Sequence, residues 1–243
     1  MTRLRPSRRT LLRAAAALGL LRAGRAPAAE PPAVAAAADL TYALPEIAAL
    51  FARESGREVK LVFGSSGNFA TEIANGAPFE VFLSADESYV AALARDGRTL
   101  DAGVLYAEGR IGIFATPGAA FAADGALAGL RAAREALAHA GLWDALAPHL
   151  VLGENVAQAA QFIRAGAAEG GILPLSLARA PAFAKTGQFA LIPADWHQPL
   201  RQRMVLLRGA GATARDFAAF VREAPARAVF RRYGFLLPGE RPG

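Results

Sequence analysis

The chain has 243 residues, of which 53% are hydrophobic and 20% charged, and it contains no cysteine. This composition predicts a folded α/β protein and excludes disorder, disulfides, thiolate metal sites and thiol nucleophiles. The formal net charge of +6 would suit a nucleic-acid partner only if the basic residues belong to the folded protein.

The first 28 residues form a distinct basic segment with seven arginines and no acidic residue. Arg8 and Arg9 precede an apolar run at 14–21, and small residues follow around Ala28. This order predicts a twin-arginine-type signal peptide over residues 1–28, cleaved after Ala28. The apolar run is too short for a permanent membrane span. We therefore expect the mature protein in the periplasm.

Removing the signal peptide changes the charge balance. Seven fewer arginines among the 27 basic residues leave 20 against 21 acidic residues, a net charge of −1. No basic stripe interleaved with aromatic residues remains, which argues against nucleic-acid binding. Without a long apolar run or coiled-coil heptads after Ala28, we expect a soluble monomer, and about 215 residues can bury two modest cores.

Strands and helices are predicted to alternate in the first part of the mature chain. The predicted elements are a strand at 33–38, a helix at 42–55, a strand at 58–63, a helix through 71–75, a strand at 80–83 and a helix ending near 95. Three strand–helix repeats with short links predict a mainly parallel sheet covered by helices, with ligands at the carboxyl ends of the strands.

The pattern is less regular after residue 105. The predicted elements are a strand at 110–115, helices over 126–146, a strand and helix start at 151–156, a helix at 157–165, strands at 171–174, 190–193 and 202–207, and a final helix at 212–224. The segment at 226–235 is expected to pack on the first lobe. The strands at 110–115 and 202–207 are interpreted as crossovers. The predicted fold is α/β with two lobes, residues 29–108 plus 200–243 and residues 109–199, which close on a ligand in the cleft.

The stretch at 63–67 joins a predicted strand directly to a helix. Unpaired N–H groups and the partial positive charge of a helix start favour an anion there. Gly64 and Gly67 permit close approach of the backbone, and Ser65 and Ser66 add hydroxyl donors. The same residue types also suit an ordinary capped turn, so the stretch alone leaves both interpretations open.

Five separated motifs place this loop in a wider pattern. They are Phe63-Gly64-Ser65-Ser66, Gly76-Ala77-Pro78, Val81-Phe82-Leu83-Ser84-Ala85-Asp86, Leu142-Trp143-Asp144-Ala145-Leu146 and Arg232-Tyr233-Gly234-Phe235. Together they resemble the periplasmic molybdate-binding proteins of ABC importers over nearly the whole mature chain. The resemblance implies a type II periplasmic-binding-protein fold that delivers molybdate or tungstate to a permease, with no catalysis, cofactor or direct metal coordination.

The resemblance implies particular ligand residues. Ser66 would bind the oxyanion through its hydroxyl and N–H, and Val156 would donate a backbone N–H from a helix start in the second lobe. Ser65, Gly67 and Asn155 adjoin them in the two predicted binding loops. Since these loops contain no Lys or Arg, we expect selection by size and hydrogen bonding, with little salt dependence.

Three features depart from the family. Asp39 occupies the position of a family serine, and Pro174 occupies that of a tyrosine that donates its hydroxyl. A stretch expected at about 130–135 is missing, which implies a shortened second lobe without one strand and one backbone donor.

Asp39 has the largest consequence of these departures. Two unit charges about 4 Å apart interact by roughly 4 kcal/mol, whereas a micromolar site has only about 8 kcal/mol in total. An ionised Asp39 therefore cannot face a bound dianion. Three interpretations stay open: Asp39 caps the helix that follows, it is protonated, or it binds a cation or a ligand with an N–H or O–H donor.

An exported hydrolase is a further function class. Ser65 and Ser66 lack a G-x-S-x-G context, and the sequence predicts no base near them. The three histidines, His139, His149 and His197, are too scattered to suggest a metal site. A non-catalytic receptor remains the leading interpretation, and the same scaffold with a different ligand or a weakened site is its alternative.

Overall fold

The structure is a computed structural model that describes residues 30–118, 125–128 and 131–241. The predicted signal peptide and its cleavage site lie outside these residues. The ten described strands are β1 Ala33–Ala37, β2 Lys60–Gly64, β3 Val81–Ser84, β4 Val104–Gly109, β5 Ile111–Ala115, β6 Gly125–Ala128, β7 Val151–Gly153, β8 Gly170–Pro174, β9 Gln188–Leu191 and β10 Leu200–Leu206.

The described α-helices run between and after these strands. They are α1 Ala43–Ser55, α2 Ser66–Ala74, α3 Glu87–Arg95, α4 Arg131–His139, α5 Trp143–Leu146, α6 Val156–Arg164, α7 Leu175–Ala178, α8 Ala212–Phe220 and α9 Ala224–Arg232. Short 3-10 turns occur at Ala38–Leu40, Ala147–His149 and Ala194–Trp196. Among the helices described, none combines the length and apolarity needed to cross a bilayer.

The strands form two five-stranded sheets with matching topology. The first has the order β2-β1-β3-β10-β4 and the second the order β7-β6-β8-β5-β9. In each sheet one strand, β10 or β5, runs antiparallel to both of its neighbours. We call the part of the chain built on the first sheet lobe 1 and that built on the second lobe 2. The chain crosses from one to the other between β4 and β5 and returns between β9 and β10.

Each lobe has an apolar core of its own. In lobe 1, Phe51 of α1 packs edge-on against Phe217 of α8, with ring centroids 5.3 Å apart. In lobe 2, Phe114 of β5 packs edge-on against Phe183 at 5.8 Å. These four side chains are almost fully buried. The burial of their apolar surface stabilises the packing of helices on the sheet within each lobe.

The first three strand–helix repeats are confirmed, but two strands escaped the sequence prediction. β4 was not expected, and Gly125–Ala128 was predicted to begin a helical region. Its Gly-Ala-Leu-Ala sequence has helix-forming residues, yet it forms β6 because it pairs in parallel with β7 on one side and β8 on the other. Tertiary pairing here overrides local propensity.

β6 lies next to the stretch where lobe 2 was expected to be shortened. A strand is present directly before α4, and residues 131–139 are helical. The shortening expected near 130–135 stays a prediction. Only residues 129–130 separate β6 from α4, so the connection between this strand and this helix is very short.

Candidate ligand-binding site

A cavity of about 230 Å³ lies where strands of both sheets end. Since a water molecule takes up roughly 30 Å³ of liquid, the cavity has room for a small solute and several waters. All six residues predicted from the sequence line it: Asp39, Ser65, Ser66, Gly67, Asn155 and Val156. Each of them follows β1, β2 or β7 in the chain. The carboxyl ends of parallel strands lie at one edge of a sheet, and this brings the residues together.

The hydroxyl of Ser66 is oriented by a backbone contact. Ser66 is the first residue of α2, and its Oγ accepts a hydrogen bond of 3.0 Å from the N–H of Ala85. A hydroxyl that accepts here keeps its own proton for another partner. Ser65 precedes the helix in an extended conformation and makes no side-chain capping bond. Both serines therefore present O–H donors beside the helix start.

The start of α6 provides the matching feature in lobe 2. Asn155 is its N-cap, and Oδ1 accepts from the N–H groups of Ala157 at 3.0 Å and Gln158 at 3.1 Å. Those bonds satisfy two of the unpaired donors at the helix start. The N–H of Val156 has no partner among the described residues and is left for a ligand.

Two substitutions at Asn155 distinguish its role as a helix cap from the effect of a charge on the cavity wall. Asn155→Ala is expected to lower the free energy of unfolding by about 1 kcal/mol, since the cap is lost. Asn155→Asp preserves the cap and stability but adds a negative charge to the cavity wall, so it should weaken the binding of an anion. Urea unfolding and calorimetry on both variants check this, and an aspartate variant that binds an anion as tightly as the native protein would contradict it.

Asp39 is not the helix cap that was one of the interpretations of the sequence. It lies in the 3-10 turn after β1, and α1 begins after Tyr42 without any side-chain cap. Its carboxylate is buried, with 5% of the residue exposed. Oδ2 accepts a hydrogen bond of 2.5 Å from Nε2 of Gln202, whereas Oδ1 has no hydrogen-bond partner among the described residues. The capping interpretation is therefore wrong.

Burial sets the ionisation of this carboxyl. It raises the pKa of Asp39 from 3.8 to about 6, and the hydrogen bond from Gln202 opposes the rise only in part. Burial, together with the nearby charge of Asp39, raises the pKa of Tyr106 well above its usual value. Asp39 thus changes charge close to neutral pH, and Tyr106 stays protonated.

The main chain of Asp39 connects the two lobes. Its carbonyl accepts a hydrogen bond of 2.8 Å from Oγ of Ser176 in α7, and both residues are buried. The position that departs most from the resembling family therefore lies at the base of the cleft, in contact with lobe 2.

Arg110 is a cavity residue that the sequence prediction missed. It stands between β4 and β5, lines the cavity, and donates from Nε to the carbonyl of Gly234 at 3.1 Å. Partial burial lowers its pKa, and the positive charge of Arg179 lowers it further. The two predicted binding loops contain no Lys or Arg, so neither of them indicated a cation at the site. Only the crossover between the lobes places Arg110 among the residues that line the cavity, and no local pattern in the sequence indicated it.

Pro174 lines the cavity, as the resemblance suggested for this position. It ends β8 and precedes α7. Proline has neither an N–H nor a hydroxyl, so it offers no donor where the family has a tyrosine.

The cavity suits an anion held by N–H, O–H and guanidinium donors. In the part of the chain that the structure describes, no cluster of three or more His, Cys, Asp or Glu side chains could hold a metal ion. No described side chain that could act as a base is hydrogen-bonded to Oγ of Ser66.

Comparison with known proteins identifies the family. The sequence profile of the family "Bacterial extracellular solute-binding protein" matches residues 32–236. The chain is 32% identical to the molybdate-binding protein ModA of Rhodobacter capsulatus over 93% of this chain and 97% of that protein. It is 34% identical to ModA of Azotobacter vinelandii over 84% of this chain and 89% of that protein.

A solved structure agrees with this assignment. The periplasmic molybdate-binding protein of Azotobacter vinelandii superposes with a TM-score of 0.80 at 27% sequence identity, covering 86% of this chain and all of that one. Its type II periplasmic-binding-protein fold is therefore the fold of this chain. The protein belongs to the family of bacterial extracellular solute-binding proteins, which are receptors and not enzymes, together with the molybdate-binding proteins of these two bacteria.

Proposed function

We propose that this protein captures molybdate or tungstate in the periplasm and delivers it to the permease of an ABC importer. The observation that carries the proposal is the convergence of two helix starts, one from each lobe, on a single cavity. Each start brings unpaired N–H groups and a partial positive charge, which favour a tetrahedral oxyanion. The relatives that bind molybdate by name support the choice of anion.

In this proposal the ligand is held between the lobes. Ser65, Ser66 and Gly67 at the start of α2 bind one side of the oxyanion, and Asn155 and Val156 at the start of α6 bind the other. Closure of the lobes around the ligand would expel water and strengthen these bonds. The protein acts as a monomer after removal of residues 1–28.

Loss of the Ser66 hydroxyl tests the site. Ser66→Ala is expected to weaken binding of molybdate by about 1–3 kcal/mol, roughly 5- to 150-fold, because a hydrogen bond to a charged ligand is lost. The N–H of Ala85 loses its acceptor as well. Calorimetry of the mature protein with molybdate, tungstate and sulfate measures the change.

A matched serine variant controls for the substitution itself. Oγ of Ser55 donates to the carbonyl of Phe51 inside α1, away from the cavity lining. Ser55→Ala should therefore leave affinity unchanged. Equal affinity of the Ser66→Ala and native proteins for every anion would remove this loop from the proposed site.

A second candidate is a ligand other than an oxyanion, bound through Asp39. The unpartnered Oδ1 favours it, because a cation or a donor group would satisfy that oxygen. A divalent-metal panel in the same calorimetric series tests it. Binding of a metal that Asp39→Ser abolishes, with no response to molybdate or tungstate, would decide for this candidate.

A further inference from the structure

A buried chain of hydrogen bonds leads from Tyr106 to the cavity. The hydroxyl of Tyr106 donates to Oε1 of Gln202 at 2.6 Å, and Nε2 of Gln202 donates to Oδ2 of Asp39. All three residues are at most 5% exposed. Tyr106 must act as donor because burial keeps it protonated. The amide of Gln202 is therefore oriented with its N–H toward Asp39.

This orientation decides where Asp39 can carry a proton. Oδ2 already accepts from Gln202, so a protonated carboxyl keeps Oδ2 as its carbonyl oxygen and places the hydrogen on Oδ1. Oδ1 is a buried atom without a partner among the described residues, and Asp39 is one of the residues that line the cavity. A protonated Asp39 thus carries an O–H donor on the oxygen that has no other partner among these residues.

Several charged or titratable residues lie on the elements around Asp39. The elements packed against its turn are β2, α6 and α7, and the Gln202 chain adds β4 and β10. Charged or titratable residues on or beside these elements and on the cavity wall are Lys60, Asp86, Tyr106, Glu108, Arg110, Glu154, Arg164, Arg179, Arg201 and Arg203. Of these, Arg201 and Arg203 pair with Glu87, and only Tyr106 is joined to Asp39 through the buried hydrogen-bond chain. Desolvation, and not a charged neighbour, is the main cause of the raised pKa of Asp39.

We propose that the protein binds its oxyanion together with one proton, which Oδ1 of Asp39 donates to an oxygen of the ligand. The inference rests on the proposed function, since it concerns an anion in this cavity. Near neutral pH the free carboxyl is mainly ionised and the free ligand is a dianion. The complex therefore takes up about one proton from solution, and that proton removes the repulsion between the carboxylate and the ligand.

Proton sharing also affects which anion is held. The bond from Oδ1 is stronger when the ligand oxygen is the more basic acceptor. Hydrogen sulfate is a stronger acid than hydrogen molybdate, so sulfate is the poorer acceptor. Asp39 should therefore favour molybdate over sulfate by more than size alone provides.

Calorimetry in buffers of different ionisation enthalpy counts the protons. At about pH 8 the native protein should take up close to one proton per molybdate bound, and its affinity should fall about tenfold per pH unit between about pH 6.5 and 8.5. Asp39→Asn has a permanent amide donor, so it should show no proton uptake and a flat pH profile. Asp216→Asn makes the same change at the half-exposed ion pair with Arg57 and should retain the native proton uptake.

The outcomes separate this inference from the proposed function. Molybdate bound by the native protein without proton uptake and with a flat pH profile would overturn the inference and leave the receptor function standing. A folded Asp39→Asn variant that binds nothing would also overturn it, since it would mean that the ionised carboxylate holds a ligand donor. Absence of binding to molybdate and tungstate by native and variant proteins at every pH would overturn both. If the variant does not fold, the proton count of the native protein decides alone.

Discussion

At pH 7.5 the ligand-free Asp39→Asn variant is expected to unfold with a free energy up to about 3 kcal/mol higher than that of the native protein. The reason is the cost of ionising a carboxyl that is 5% exposed and has one oxygen without a partner among the described residues. Burial raises its pKa from 3.8 to about 6, and one pKa unit corresponds to about 1.4 kcal/mol. An asparagine can still accept from Gln202 and never ionises.

The sign of the pH dependence follows from the raised pKa. Below about pH 4 both folded and unfolded states hold the proton, and the full stability is present. Between about pH 4 and 6 the folded state keeps a proton that the unfolded state releases, so the free energy of unfolding falls as pH rises. Above about pH 6 the free energy of unfolding falls no further, because the carboxyl is ionised in both states. The Asn variant should lack this decline.

Urea unfolding of the ligand-free proteins from about pH 4 to 8 measures both effects. Asp216→Asn serves as the control, because Asp216 forms a half-exposed ion pair with Arg57 worth at most about 1 kcal/mol. It should follow the native pH profile closely. A native profile that is flat between pH 4 and 6, or one that the Asn variant reproduces, would show that Asp39 titrates normally.

Arg110→Ala is expected to weaken the binding of molybdate by about 1.5–3 kcal/mol, roughly 10- to 150-fold. Arg110 is one of the residues that line the cavity, and its Nε donates to the carbonyl of Gly234, so the terminal nitrogens of the guanidinium remain as donors for a ligand that reaches them. A guanidinium opposite an oxyanion forms charge-assisted hydrogen bonds. The variant should also show a weaker dependence of affinity on salt than the native protein.

Arg179→Ala is the matched control. Arg179 also reaches from lobe 2 to the end of α9, where it donates to the carbonyls of Arg231 and Arg232, but it does not line the cavity. Both variants lose a cation and contacts of the same kind between the lobes. If the two variants weaken binding equally, the effect of Arg110 belongs to the packing of the lobes and not to the ligand.

Asp39 and Arg110 together give the site a charge balance that the binding loops alone do not have. The guanidinium supplies positive charge, whereas the carboxyl is negative or neutral according to pH. Loops without Lys or Arg predict little salt dependence, whereas a contribution from Arg110 predicts more, and a salt series on the native protein and Arg110→Ala distinguishes the two. The second expectation comes from the tertiary structure, because Asp39 and Arg110 are 71 positions apart in the chain.

The sequence by itself determined the local elements of the binding site. Phe63–Gly67 and Glu154–Val156 each place small polar residues directly after a strand, and local geometry then requires a helix start with free N–H groups. The alternation of strands and helices likewise determined the fold class, since short links between parallel strands leave few arrangements. Both depend on residues close together in the chain.

Tertiary contacts were needed to reveal that Asp39 is buried, that Arg110 lines the cavity and that residues 125–128 form a strand. The pairing of Asp39 with Gln202 spans 163 positions, so no local pattern could reveal that this carboxyl is buried rather than capping a helix. β6 is a strand because β7 and β8 supply its hydrogen bonds, although its own residues favour a helix. Burial and long-range pairing depend on the whole chain, and they determine the charge in the cleft.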